Sequence, residues 1–303
     1  MLIKSSRICM RHFHDKRSRP PINGKVKVQV ETGNKIEMRK FLPLIAMFTA
    51  IVMISSCNSS ETPSQPTVST LPTPNITCND FSFYLDPALG NGGKCETVPE
   101  SSSSDLPKGM AYVYIYPAHT ELTIRNYPLT DTQFPPRIWI YPVSRFNELL
   151  SDILPPRVSA LKRLISGDTL SNEDFPFLPP IPEIQTFFIH ETGLSFNGGQ
   201  GVRFITEYSE VPFPINNRSI IYTFQGLTDD GMYWVAVTLP ISNPILPANY
   251  DTLPNGYTQE SLIQSYSSYV SDVKAALEAQ APDSFYPTIN SLDSLIKSIV
   301  IGQ

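Results

Sequence analysis

Residues 38–57 divide the chain before any fold is considered. Met38-Arg39-Lys40 leads into the mostly apolar run Phe41 to Ile54, which ends on Ser55-Ser56-Cys57. A basic start, an apolar centre and small residues at the end are the three parts of an export signal. At 1.5 Å per residue the apolar run spans about 21 Å, short of the roughly 30 Å hydrocarbon core that a transmembrane helix must cross. The run is therefore read as a signal removed after export, with an uncleaved N-terminal anchor as the alternative. Any folded domain must then be built from the residues beyond Cys57.

The placing of Cys57 directly after Ser55-Ser56 resembles the lipobox of bacterial lipoproteins. The resemblance implies that 38–56 is a lipoprotein signal peptide. Cys57 would carry the lipid, with acyl chains such as palmitate, and become the new N-terminus. Each buried methylene adds about 0.8 kcal/mol and one chain binds only marginally, so two or three chains would hold the protein firmly. The implied partners are the membrane, through Cys57, and the lipoprotein-processing machinery. The implied location is the extracytoplasmic side of a bacterial membrane. Asn58, not Asp, follows the cysteine, so the residue associated with inner-membrane retention is absent. Residues 1–37 scatter nine Lys/Arg and two His over a polar stretch with no apolar centre. Met38 is the expected start, and a long basic N-region beginning at Met1 is the alternative.

The whole chain has net charge -5, of which residues 1–37 contribute +6 and Arg39 with Lys40 contribute +2, leaving -13 for residues 57–303. Clustered cations are what nucleic-acid binding requires, so an acidic exported domain kept dispersed by its charge is expected, without a nucleic-acid partner. Cys57 taken by lipid leaves Cys78 and Cys95 as the remaining pair. In an oxidising compartment such a pair bonds. Two cysteines without accompanying histidines make a poor zinc site, so neither metal nor cofactor is expected.

From Asn58 to Thr77 the chain is rich in Ser, Thr, Pro and Asn, and such a composition cannot bury a core. Residues 57–77 are read as a lipidated tether with a reach of about 25 Å, and 78–303 as a single domain. Apolar stretches at Phe81 to Leu85, Ala111 to Tyr116, Glu121 to Arg125 and Arg137 to Tyr141 read as strands. Between them the polar patch Glu100 to Asp105 reads as a surface loop. Ser144 and Pro156 open two helical segments, the second closed by Gly167; one helix broken at Pro155 fits equally. After the proline-rich loop Phe175 to Pro182, strands are expected at Ile184 to Phe196, Gly201 to Tyr208, Ser219 to Phe224 and Met232 to Leu239. Asn197-Gly198-Gly199-Gln200 and Asp229-Asp230-Gly231 supply the hairpin turns. A helix from Gln259 to about Gln280, capped by Thr258, and a last helix from Ser291 to Val300 close the chain.

The expected class is α+β, a mainly antiparallel twisted sheet packed by helices. This layout resembles the PsbP-like fold over roughly residues 80–300, with no functional residue transferred. The run Tyr222-Thr223-Phe224-Gln225-Gly226-Leu227-Thr228-Asp229-Asp230-Gly231 is similar to a phrase found in uncharacterised exported bacterial lipoproteins, which implies no mechanism.

Candidate chemistry is sparse. His190-Glu191 begins like a zinc-protease motif, but position 194 is Leu and Gly193 breaks the required helix. A strand-end histidine satisfied by a backbone partner is the better reading. Gly193-Leu194-Ser195-Phe196-Asn197 matches four of the five positions of a nucleophile elbow without its strand-turn-helix context. Gly198 to Gly201 lacks the Lys-Ser/Thr of a phosphate cradle and reads as a hairpin turn. Asp229 with Asp230, Glu173 with Asp174, and Glu207 with Glu210 are the visible carboxylate pairs, and a glycosidase would need one such pair across a cleft. Calcium at Asp229-Asp230 lacks alternating oxygen ligands. His119 sits in no ligand spacing. Tyr112, Tyr114, Tyr116, Trp139, Tyr141, Tyr222, Tyr233 and Trp234 are expected chiefly in the core, with an exposed platform for sugars, peptides or a protein as the alternative. No catalytic residue is assigned. The expected function is a non-catalytic binding or interaction module of the cell envelope with a protein or glycan partner; an envelope hydrolase acting on a glycan or ester is the alternative.

Overall fold

The computed structural model describes residues 72–107, 112–170, 175–254 and 256–302. The expected export signal at 38–56, Cys57 and the Glu173-Asp174 pair lie outside them. The described residues fall within one compact unit, Pro66–Gln303.

Ten strands and five α-helices are described. In chain order they are β1 (Ile76–Cys78), β2 (Phe81–Phe83), β3 (Gly93–Val98), β4 (His119–Ile124), β5 (Arg137–Pro142), α1 (Val143–Leu149), α2 (Leu154–Ile165), β6 (Ile184–Phe196), β7 (Gly199–Ser209), β8 (Ile221–Thr228), β9 (Tyr233–Pro240), α3 (Gln259–Gln264), α4 (Tyr266–Glu278), α5 (Ile289–Lys297) and β10 (Val300–Ile301). Seven strands form one sheet in the order β3-β4-β5-β9-β8-β7-β6, and β1, β2 and β10 form a small second sheet. Every pairing between these strands is antiparallel. This is the expected α+β class.

Alternation along the central strands gives the large sheet two buried faces. On β5 and β9, Ile138, Ile140, Val235 and Val237 face a core shared with α4 and α5, through Tyr269, Leu277, Leu292 and Ile296. Trp139, Tyr141, Trp234 and Ala236 face the other way, onto Phe146 of α1 and Leu161 of α2. A sheet buried on both sides needs apolar residues at successive positions, and β8 and β9 are buried along nearly their whole lengths.

Local chemistry sets the element boundaries. Pro155 and Pro156 sit in the first turn of α2, where their missing N–H groups cost nothing, and Gly167 at φ +92° turns the chain out of the helix. Two helices result, and the first follows β5 directly with Pro142 at its cap rather than Ser144. The expected helix from Gln259 to Gln280 divides at Ser265, whose hydroxyl donates to the Ser261 carbonyl (2.6 Å) and competes with the helical ladder. Thr258 caps α3 as expected. The last helix starts earlier than expected because Thr288 accepts from the Ser291 N–H, and its tail, Val300–Ile301, becomes β10.

Tyr112–Tyr114 is a short 3-10 turn, not the expected strand. Alternation makes a strand only where a partner is available, and among the described residues here only Tyr116 pairs, with Ser101. Conversely β3 was not expected to be a strand. Its Lys94 and Glu96 are exposed, and charges of this kind mark an edge strand rather than a central one.

Gly201 and Gly226 face each other across β7 and β8. A Cβ on Gly201 would lie 2.3 Å from the Gln225 carbonyl oxygen and 2.7 Å from the Phe224 ring, so only glycine lets that ring lie over the strands. Within the same hairpin Gln225 is fully buried and fully bonded. Its Oε1 accepts from Leu178 N–H (3.0 Å) and Trp234 Nε1–H (2.8 Å), and its Nε2 donates to the Leu178 carbonyl (3.1 Å) and Thr223 Oγ1 (2.9 Å). The segment Tyr222 to Gly231 therefore holds the proline-rich loop to the sheet.

Candidate functional site

A hollow of about 540 Å³ lies where the small sheet meets one end of the large one. β2 and β10 supply Phe81, Ile301 and the adjoining Asp80 and Gly302; β3, β4 and β5 supply Thr97, His119, Thr120 and Ile140; Tyr233 opens β9 beside them. Two clamps hold these walls together. A disulfide joins Cys78 of β1 to Cys95 of β3. Asn79, in the turn between β1 and β2 with φ 49°, donates through Nδ2 to Thr97 Oγ1 and Thr120 Oγ1, each at 3.1 Å.

His119 is the one imidazole among the described residues of this cleft and is buried. Its Nδ1 lies 2.8 Å from the Pro117 carbonyl. A carbonyl only accepts, so Nδ1 carries the proton and the neutral ring keeps its lone pair on Nε2. The rings of Tyr116 and Tyr141 pack at 5.3 and 4.5 Å. Burial pushes the His119 pKa below the usual imidazole range, partly offset by the Pro117 bond and the Glu121 charge. Because the unfolded chain takes up a proton more readily, His119 stabilises the fold above about pH 6.5, and that contribution is lost as the pH falls through the lower native value. The cleft thus offers a neutral imidazole, one carboxylate (Asp80), three hydroxyls (Thr97, Thr120 and Tyr233) and an apolar wall. Its described lining includes neither serine nor cysteine to act as a nucleophile.

His190 lies inside β6 rather than at its end, at a bulge where the register shifts between Ile189 and Thr192. With φ 51° its N–H reaches Glu278 Oε2 (2.9 Å) and its Nε2 donates to the Leu277 carbonyl (3.1 Å). The backbone partner is the one expected from the sequence; the bulge is not. Its carbonyl accepts from Arg203. Arg203, on β7, pairs through two bonds of 3.0 Å with Asp293 of α5, which also accepts from Tyr222 Oη at 2.9 Å. All three members are buried. This network fastens the closing helix to the sheet and was invisible in the sequence, because ninety residues separate its two charges.

Ser195 is exposed on β6 and the chain continues into a β-hairpin, so no nucleophile elbow forms. Asp229 and Asp230 make the β8–β9 turn, where Asp230 accepts from Thr228 Oγ1 (2.6 Å) and the Met232 N–H (2.9 Å). Among the described residues no group of three His, Cys, Asp or Glu can hold a metal ion. No helix there is long and apolar enough to cross a membrane. Of the aromatic residues named from the sequence, Trp139, Tyr141, Tyr222 and Trp234 are core; only Tyr112 and Tyr114 stand largely in solvent, too few for the exposed platform.

Glu207 and Glu210 do come together. With Glu183 they line a hollow of about 290 Å³ beside the ends of β6 and β7. Glu207 is only 2% exposed, and burial pushes its pKa from 4.5 up to about 7, tempered by the Ser219 hydroxyl and the nearby Thr186 and raised further by Glu183. The folded state therefore holds a proton that the unfolded chain releases near pH 4.5, so stability falls as the pH rises from 4.5 through 7. Glu207→Gln removes this dependence. Between pH 5 and pH 8.5 the variant is expected to gain about 2–3 kcal/mol of unfolding free energy relative to the parent in urea titrations; a constant difference would contradict the buried carboxylate.

Comparison with known proteins finds no matching family model, no matching curated protein and no matching solved structure.

Proposed function

We propose that the protein is an extracytoplasmic lipoprotein, anchored through lipid on Cys57, whose domain works as a non-catalytic binding module of the cell envelope. The observation that carries the binding reading is the chemistry of the His119 cleft. A ligand there meets a neutral imidazole, a carboxylate, hydroxyls and apolar walls, a composition suited to orienting a small polar molecule or a partner's side chain. No serine or cysteine nucleophile accompanies them among the described residues. The Cys78–Cys95 bond supports the location, since disulfides persist in oxidising compartments. Cys57→Ala is expected to leave the precursor unprocessed; a mutant recovered mature and membrane-bound would refute the anchor.

One observation favours the alternative of an envelope hydrolase, restricted to glycans. Glu207, protonated near neutrality, shares a hollow with Glu210 and Glu183, and a general acid beside a carboxylate is what glycoside hydrolysis uses. Turnover of chromogenic glycosides that disappears in Glu207→Gln would establish it. The expected result is no turnover above the buffer background. Ester hydrolysis has no such support, as Ser195 has no histidine partner among the described residues.

A further inference from the structure

We infer that the hollow where α2, the Phe175 to Pro182 loop and the start of β6 meet binds a small aromatic carboxylate, its carboxyl group received by Arg157 and its ring by Phe177, Tyr208 and Ile184. The inference is independent of what fills the His119 cleft.

The hollow measures about 380 Å³, and its cationic wall is Arg157, in the first turn of α2. One guanidinium N–H donates to the Phe177 carbonyl at 2.9 Å, which holds the group in place. Burial raises the pKa of the Tyr208 hydroxyl and the Arg157 charge lowers it in part, so the guanidinium lies close to that ring. Arg137, Arg145, Arg163, Arg203 and Arg218 each face a carboxylate. Arg157 forms no ion pair among the described residues, and the first turn of α2 holds no acid. A guanidinium carries five N–H donors in a fork that matches a carboxylate through two parallel bonds. Half-buried and without a counter-ion, this one gains from an anion brought to it.

The other walls are apolar and already set. The rings of Phe177 and Tyr208 pack 4.8 Å apart, and Phe175 is held against Phe188 and Phe204 at 4.3 and 4.4 Å. Gln225 bonds both backbone groups of Leu178, so the loop that carries these rings is fastened to the sheet. Tyr112 and Ile184, 37% and 73% exposed, stand on the same lining. A preformed hollow with ring walls and one oriented charge suits a flat apolar body that bears a single polar group.

Glu183 also lines this hollow and limits the charge of the ligand. Its Oε2 accepts from Gln133 Nε2 at 3.5 Å, and Gln133 belongs to the lining of the neighbouring hollow. The carboxylate is thus drawn to the far side, yet it still opposes negative charge. A phosphate dianion would meet one cation and one anion. A monoanionic carboxylate needs only the one fork that is present.

The test is a proton–carbon NMR titration of the full chain in non-ionic detergent near pH 7, following the Ile181 methyl signals with phenylacetate and, as neutral control, 2-phenylethanol. The expected result is a saturable shift with phenylacetate and none with the alcohol. Affinity should be roughly tenfold weaker in Arg157→Gln and roughly threefold weaker in Arg157→Lys, which keeps the charge and loses the fork. Because Arg157 also braces the loop, two further variants separate binding from folding. Ile184→Glu, at an exposed position, should weaken binding roughly threefold, and Glu183→Gln should tighten it roughly twofold. An absent response, an equal response to the alcohol, or affinities that fail to move in these directions would overturn the inference.

Discussion

Asp293→Ala is expected to lower the unfolding free energy by about 3–5 kcal/mol, the cost of removing one member of a buried ion pair. Asp293 receives both arms of the Arg203 guanidinium and the Tyr222 hydroxyl. Without it Arg203 keeps only the carbonyl of His190, so a full charge stays buried and largely uncompensated. Replacing both members, Arg203→Met with Asp293→Leu, is expected to cost far less, because desolvation of two ions then no longer opposes folding. Urea denaturation read by circular dichroism separates these cases. A loss below about 1 kcal/mol for Asp293→Ala would contradict the view that this network, and not only apolar packing, fixes α5 on the sheet.

The Cys78→Ala/Cys95→Ala double variant is expected to lose about 3 kcal/mol, the chain-entropy value for a closed loop of this size, given the 17-residue separation. For a domain of this length that corresponds to a fall of roughly 6–12 °C in Tm. The parent in reductant should melt at the lower temperature as well. The bond does more than shorten the unfolded chain, since it ties β1 to β3 next to the His119 cleft. Equal melting of oxidised and reduced protein would remove the disulfide as a structural element.

The legible part of the fold was the part governed by local pattern. Strands β6 to β9 announce themselves as runs rich in apolar residues, with Gly198 at φ +88° turning β6 into β7 and Gly231 at φ +71° turning β8 into β9, angles that glycine adopts without strain. Helical spacing also places one apolar stripe along α4 and α5, of which Tyr269, Leu277, Leu292, Leu295 and Ile296 are buried and Tyr266, Val270 and Val273 partly so. What failed depended on partners distant in sequence. Tyr112–Tyr114 alternates and yet is no strand, for want of a neighbour, and polar Gly93–Val98 is a strand because β4 pairs with it along its length.

Of the site residues, Cys78 and Cys95 were legible as a pair once the lipoprotein-signal reading set Cys9 and Cys57 aside. Glu207 and Glu210 could be named as a carboxylate pair but not set in a hollow, because burial of Glu207 depends on β8, α4 and the loop after β7. His119 carried no signal in its spacing. What distinguishes it is the Pro117 carbonyl at 2.8 Å, together with a small sheet that closes the cleft from the other side.

The central claim is the address, and intact mass spectrometry of the native protein extracted from membranes tests it most directly. The expected mass is that of a chain beginning at Cys57, carrying acyl chains, and two hydrogens lighter for the Cys78–Cys95 bond. An unmodified chain that retains residues 1–56 would contradict both the lipid anchor and the compartment.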